Sequence, residues 1–258
     1  MISTNNISFS YDGKTPTLNN LSLGARKGEF LTLVGPNGSG KSTLLRLLDC
    51  ILLPAKGSIT LDGIDITEFT RAEIARRIAF VPQDGSSTLP FSVTEMVLMG
   101  RSPYVKGAFF ENETDRAIAR DMMVQMDISH LAESAITSLS GGERQRVFIA
   151  RAMTQQPQVV LLDEPNAHLD VAHQIDVFNI LHTLKQSGLT VVAVTHDLNL
   201  AAAFSDRIGM LLSGSLVALG TPAEVLTEQS IHNVFRTRVI VDRHPSESTP
   251  RVTLRSFH

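Results

Sequence analysis

The sequence predicts an α/β fold built around a mostly parallel sheet, and three observations lead there. Continuous apolar runs at Phe30–Val34, Val159–Leu162 and Leu189–Val194 read as strands covered on both faces, as parallel strands are. Segments with helical apolar spacing lie between and after them, as crossovers require. After the first run stands "LVGPNGSGKSTLL", residues 33–45, too rich in glycine for the interior of a helix or strand.

The elements follow in order. Ile7 to Tyr11 alternates as a strand does, and Lys41 to Ile51 has helical apolar spacing at Leu44, Leu45, Leu47 and Leu48. Ser58 to Thr67 resembles two short strands around Asp62-Gly63. Thr70-Arg71-Ala72-Glu73 is a capping box that opens a short helix, and Ile78 to Gln83 is another strand. Ser92-Val93-Thr94-Glu95 is a second capping box, and from there the pattern is mainly helical to about Gln156. No convincing buried strand interrupts that stretch, so it reads as a helical insertion ended by Pro157. Strands at Val159 and at Leu189 to Asp197 follow. Thr221-Pro222-Ala223-Glu224 caps a late helix, and "RHPSESTPR" near the C-terminus reads as a polar linker or turn.

The 258 residues suffice for a full core. A net charge of -3 and a pI near 6.2 give no electrostatic footprint for nucleic acid. One cysteine, Cys50, excludes a disulfide framework, and its apolar setting favours packing over chemistry. The first residues show no basic start followed by an apolar core, so no signal peptide is expected. No run approaches the ~18 apolar residues of a membrane span. The expectation is a soluble, cytoplasmic chain that docks on a membrane protein.

Gly35, Gly40, Lys41 and Ser42 fill the pattern G-x-x-x-x-G-K-[ST], with a strand before it and a helix after it. Such a turn converges backbone N–H groups on an anion at the helix N-terminus, so the loop reads as a phosphate cradle. The strand from Val159 ends in Asp163-Glu164, two acids emerging where a parallel sheet binds its ligands. Asp163 fits a magnesium partner beside the Ser42 hydroxyl. Glu164 would face the terminal phosphate and polarise an attacking water. Ser140-Gly141-Gly142-Glu143 opens a helix with an N-cap, a glycine pair and a capping glutamate, which makes a second anion site. One nucleotide needs one cradle, so Ser140 and Gly142 are expected to serve the nucleotide of another subunit.

These residues resemble the ATP-binding subunits of ABC transporters over nearly the whole chain. The likeness rests on the phosphate loop, "LSGGE" at Leu139, "LLDEP" at Leu161, "HLD" ending at Asp170, "VTHD" with His196, and "VPQD" with Gln83. It implies a P-loop NTPase with a RecA-like core, an antiparallel β subdomain and a helical signature-motif insertion. The core would span about 1–89 and 157–215, the helical subdomain about 90–156, and a C-terminal extension about 216–258. ATP would be held by Gly35-Pro36-Asn37-Gly38-Ser39-Gly40-Lys41-Ser42-Thr43, with Tyr11 stacked on adenine. Ser42, Gln83 and Asp163 would hold Mg2+, while Glu164, His196, Gln83 and Lys41 would act in hydrolysis. Ser140, Gly141, Gly142 and Glu143 would complete the opposite subunit's site, and Asp170 lies in the loop crossing the dimer. His168 and His173, flanking that loop, read as structural or interfacial.

"VLMGRSPYVKGAFF" and "LVALGTPAEVLT" resemble the ATPases of ferric-siderophore, haem and cobalamin importers. Glu143 and Asn166 stand where many relatives carry glutamine and serine or threonine. The resemblance implies a homodimer at the cytoplasmic face of the inner membrane, working with a permease and a substrate-binding protein. The alternative is the ATPase of another ABC transporter, with a different substrate or as an exporter, or a non-transport ABC ATPase. The last would usually bring coiled coils or a second nucleotide unit, and a GTP switch would need an N-K-x-D element; the sequence contains neither. Met99, Tyr104, Phe109 and Phe110, grouped with Arg101 and Lys106, have the composition of a docking surface for the permease.

Overall fold

Alternation of side chains along the strands sorts the molecule into layers. The computed structural model describes residues 1–83, 90–105, 112–245 and 249–255. Its strands are β1 (Ile2–Phe9), β2 (Leu18–Ala25), β3 (Phe30–Val34), β4 (Lys56–Leu61), β5 (Ile64–Asp65), β6 (Ile78–Val81), β7 (Val159–Asp163), β8 (Thr190–Val194), β9 (Arg207–Leu212), β10 (Ser215–Gly220), β11 (Val239–Arg243) and β12 (Pro250–Leu254). Its helices are α1 (Lys41–Leu48), α2 (Arg71–Ala75), α3 (Val93–Leu98), α4 (Glu113–Gln125), α5 (Gly141–Thr154), α6 (Val171–Gln186), α7 (Leu198–Phe204), α8 (Pro222–Val225) and α9 (Glu228–Phe235).

The central sheet has the order β10-β9-β3-β8-β7-β6; only β10 runs antiparallel to its neighbour. Leu31, Leu33, Val159, Leu161, Val192 and Val194 face one way, onto α1 and the antiparallel sheet β2-β1-β4-β5. Phe30, Val160, Leu162, Val191 and Ala193 face the other way, onto α6 and the helices of the insertion. Both faces being covered, the strands read as unbroken apolar runs. β3, β6, β7 and β8 all end at one sheet edge, where the functional loops begin.

Capping boxes form at Thr70–Glu73, Ser92–Glu95 and Ser140–Glu143, as the sequence indicates. Three segments differ from expectation. β1 starts at Ile2, because Asn6 turns left-handed (φ 48°) at a register shift between Thr4 and Ile7 that breaks the alternation. Tyr11 therefore lies past the strand. α1 stops at Leu48: Asp49 caps it and Cys50 adopts φ 55°, which no helix continues through. In the "RHPSESTPR" stretch Arg243, Pro250 and Arg251 belong to the strands of the β11–β12 hairpin, and 246–248 lie outside the described residues. Asn199 of α7 pins that hairpin, donating to the Val252 carbonyl (3.1 Å) and accepting from its N–H (2.8 Å).

Of the docking surface expected at 99–110, Met99 is 38% exposed, while Arg101 and Tyr104 are tied inward. Arg101 is 5% exposed and donates to Asp115 Oδ1 (2.7 Å) and to the Thr154 carbonyl (2.8 Å). Tyr104 is half-buried; its hydroxyl donates to the Gln155 carbonyl (2.8 Å), and the Arg76 and Arg101 guanidinium groups lie over its ring, 5.1 and 3.8 Å from its centre. Gly100 is required there, since a Cβ would collide with the Arg151 carbonyl. This turn clamps the C-terminal end of α5. Lys106, Phe109 and Phe110 lie outside the described residues.

Candidate functional site

The loop between β3 and α1 folds as its glycines dictate. Gly35 has φ 151° and a Cβ there would strike the Leu211 carbonyl; Gly40, at φ 100°, presses on Leu18 and forms the N-cap of α1. A side chain at either position would push the loop off the sheet edge. The loop floors an open pocket of about 520 Å³, lined by Asn37, Gly38, Lys41, Ser42, Gln83, Glu164 and His196 among others. Lys41 donates from Nζ to the Gly35 (2.8 Å) and Pro36 (3.0 Å) carbonyls. Burial lowers its pKa, and the nearby Glu164 and Asp163 charges oppose that shift. Helix start and mobile cation together make an anion site.

Ser42 Oγ donates to Asp163 Oδ1 at 3.0 Å, joining the start of α1 to the end of β7. Burial raises the Asp163 pKa, partly offset by that hydrogen bond. A cation at this point would restore the charged carboxylate. One residue on, Glu164 turns left-handed at φ 50°, its N–H donating to the Val194 carbonyl (3.1 Å). Gln83 Nε2 donates to Glu164 Oε2 at 2.9 Å, and His196 Nε2 lies 2.5 Å from Oε1. The ends of β6, β7 and β8 thus meet on one carboxylate beside the cradle. A carboxylate so held can take a proton from a water in line with a bound phosphate.

Tyr11 stands 59% exposed beside the pocket, edge-on to Phe9 and with its hydroxyl 3.3 Å from Thr43 Oγ1. Its face is free to meet a base.

Ser140 and Gly142 are not among the residues lining this pocket. Ser140 Oγ donates to Glu143 Oε2 (2.7 Å) and accepts from the Glu143 N–H (3.3 Å). Gly142 is buried, and a Cβ there would collide with the ring of His173 on α6. His173 Nδ1 in turn meets Asp170 Oδ1 at 2.8 Å, and Asp170 caps α6 by accepting from the His173 N–H. No local pattern marks this Gly142–His173 packing, which joins residues 31 apart in sequence. Thr17, whose carbonyl abuts Gly40 and Gly214, also lines the pocket without any motif to mark it.

The family model for the ABC transporter matches residues 18–167, more than half of the chain, from β2 through the acidic strand end. The chain belongs to the ABC transporter family. It is 41% identical to a hemin import ATP-binding protein of Gloeobacter violaceus, over 91% of this chain and 87% of that protein. It is 37% identical to the ferric enterobactin transport ATP-binding protein of Escherichia coli, over 93% of this chain and 89% of that protein. Among solved structures it superposes on a transporter assigned to the metal-chelate type of ABC transporter, in an inward-facing conformation. There the TM-score is 0.85 at 31% identity, covering 98% of this chain and 95% of that one. The fold is that of an ABC cassette, a P-loop NTPase, and the chain is an ABC-type ATPase that binds ATP. Among the described residues no helix is long and apolar enough to cross a membrane.

Proposed function

We propose that this ABC ATPase energises import of a metal chelate, a ferric siderophore, haem or cobalamin, through a separate membrane permease. The observation that carries the energising role is Glu164, held by Gln83 and His196 beside the phosphate loop. Relatives named for hemin import and ferric enterobactin transport support the substrate class. The chain would sit peripherally on the cytoplasmic face of the membrane, with a substrate-binding protein delivering the chelate on the far side.

In this reading Gly35 to Thr43 cradle the phosphates, Lys41 leaves its loop carbonyls for the β- and γ-phosphates, and Tyr11 stacks on adenine. Glu164 takes the proton of the attacking water, while Gln83 and His196 turn toward the γ-phosphate. Ser42, Asp163 and the Gln83 amide oxygen are hard donors, too few to enclose an ion alone. Among the described residues no cluster of three or more His, Cys, Asp or Glu could do so. Few protein oxygens, with phosphate and water completing the shell, is what Mg2+ favours, and the ion would neutralise charge developing on the phosphate.

The placement of the signature supports a head-to-tail homodimer. Ser140, Gly141, Gly142 and Glu143 start a helix away from the chain's own pocket, with Ser140 exposed and Gly142 packed under His173. Beside Asp170, Val171 (71% exposed) and Ile175 (42% exposed) place apolar surface one turn apart on α6, as an interface core requires.

The test is uptake. The ATPase, its permease and the binding protein in vesicles should accumulate one of haem, cobalamin or ferric siderophore only with ATP inside the lumen equivalent to cytoplasm. Glu164→Gln should stop it. A complex that hydrolyses ATP and moves none of the three overturns the substrate class.

A further inference from the structure

A second, buried pair ties together the loops that carry Glu164 and His196. Thr195 Oγ1 donates to Asn166 Oδ1 at 3.1 Å and accepts from the Asp197 N–H at 3.1 Å. Thr195 is 0% exposed and Asn166 9%. The first bond joins residues 29 apart in sequence; the second closes a turn of the chain around His196. Both neighbours are themselves fixed. Asp197 caps α7 by accepting from the Asn199 (2.8 Å) and Leu200 (2.9 Å) N–H groups. Gln174 of α6 donates to the Asn166 carbonyl at 3.3 Å.

We propose that Asn166 and Thr195 are positioning residues for ATP hydrolysis: their bond fixes the His196 turn against the Glu164 turn, and so sets where the two side chains meet. This rests on Glu164 and His196 acting in hydrolysis as proposed above. The hydroxyl is well used, with its proton on Asn166 and a lone pair on Asp197. Removing it leaves an amide oxygen and a backbone N–H buried without partners, a cost the turn can relieve by shifting. Neither residue lines the nucleotide pocket, so the shift falls on the reacting groups and not on ATP affinity.

Thr195→Val removes the hydroxyl at constant shape, Thr195→Ser keeps it, and Asn166→Leu removes the acceptor. Steady-state ATPase assays and nucleotide titration are run on these, on the Asn166→Leu, Thr195→Val double variant, and on Glu164→Gln. Thr195→Val and Asn166→Leu should each lower kcat ~10- to 100-fold, the worth of a displacement near 1 Å, with the KM for ATP within about twofold. Thr195→Ser should work near the parental rate. The double variant should be no slower than its slower single, because both substitutions remove the same bond. A purely structural role would instead lower kcat and ATP affinity together, without rescue by serine. That result, a parental kcat in Thr195→Val, or penalties that multiply in the double variant overturns the proposal. If Thr195→Val does not fold, Asn166→Leu decides by the same kcat and KM criteria. Glu164→Gln separates the two readings: a parental rate there sinks the catalytic site itself, whereas its loss beside a fully active Thr195→Val sinks the positioning alone.

Discussion

His196 Nε2 and Glu164 Oε1 lie 2.5 Å apart, across the ends of two neighbouring parallel strands and 32 residues apart in sequence. Gln83 occupies the other carboxylate oxygen from the next strand in the sheet. Three strand ends therefore converge on one carboxylate, the group proposed above as the general base.

Glu164→Gln should keep ATP binding and lose about 10²- to 10⁴-fold in turnover, the usual worth of a positioned base. With hydrolysis blocked, magnesium-ATP should hold the variant as a dimer. Size-exclusion chromatography reads this directly: a variant that stays monomeric and hydrolyses at the parental rate refutes the assignment.

The Arg101–Asp115 pair predicts a stability effect far from the nucleotide. Both side chains are only 6% exposed, and Arg101 also holds the Thr154 carbonyl at the end of α5. Asp115→Ala should cost about 3–5 kcal/mol in urea unfolding, because it leaves a buried guanidinium without its counter-charge. Arg101→Met with Asp115→Leu should recover most of that loss, since no charge is then stranded. An Asp115→Ala variant as stable as the parent would mean that water reaches the pair.

What the sequence disclosed divides by the range of the interactions. The phosphate loop, the acidic end of β7 and the capping boxes at Thr70, Ser92 and Ser140 are written in neighbouring residues, so spacing reveals them. The placement of Lys41, Ser42, Asp163 and Glu164 shares that property: each lies at or next to the end of an element. The surroundings of Tyr104 were not legible, because aromatics and cations signal an interface and a cation–π core alike; only the fold brings the Arg76 and Arg101 guanidinium groups over its ring. Gly142 meeting His173, and Asn166 meeting Thr195, join distant segments, and composition carries no record of such pairings. The β11–β12 hairpin was hidden because its strands are largely exposed and show no apolar run.

Asp49 predicts a pH dependence. It caps α1 beside Cys50, in a pocket lined also by Arg71, Ile74 and Phe80. Burial pushes its carboxyl up from 3.8 to about 7, and the Cys50 thiol up to about 11. Between these two Asp values the folded protein holds a proton that the unfolded chain has released. Stability from this group is thus full below about pH 4, falls as the pH rises to about 7, and is flat above. Asp49→Asn should abolish that slope and raise stability at pH 8, by an upper bound of about 4 kcal/mol. Urea midpoints measured from pH 5 to pH 8 decide it; parallel curves for the two proteins would show that Asp49 ionises freely.

The shared site can be tested in trans. Ser140→Arg should leave ATP binding to the monomer intact, because Ser140 does not line its own chain's pocket, and should abolish hydrolysis that depends on the dimer. Lys41→Ala should be inactive for the opposite reason, losing the cation that its own loop directs at the phosphates. Mixing the two inactive proteins yields dimers in which one composite site carries both lesions and the other carries neither. Some ATPase activity should therefore return, up to the share of mixed dimers formed and the capacity of a single site. The expected mixture peaks at equal amounts of the two variants and disappears when either is in large excess, so a titration separates it from trace contamination. If each chain completed its own site, every dimer would contain two damaged sites at any ratio, and mixing would restore nothing.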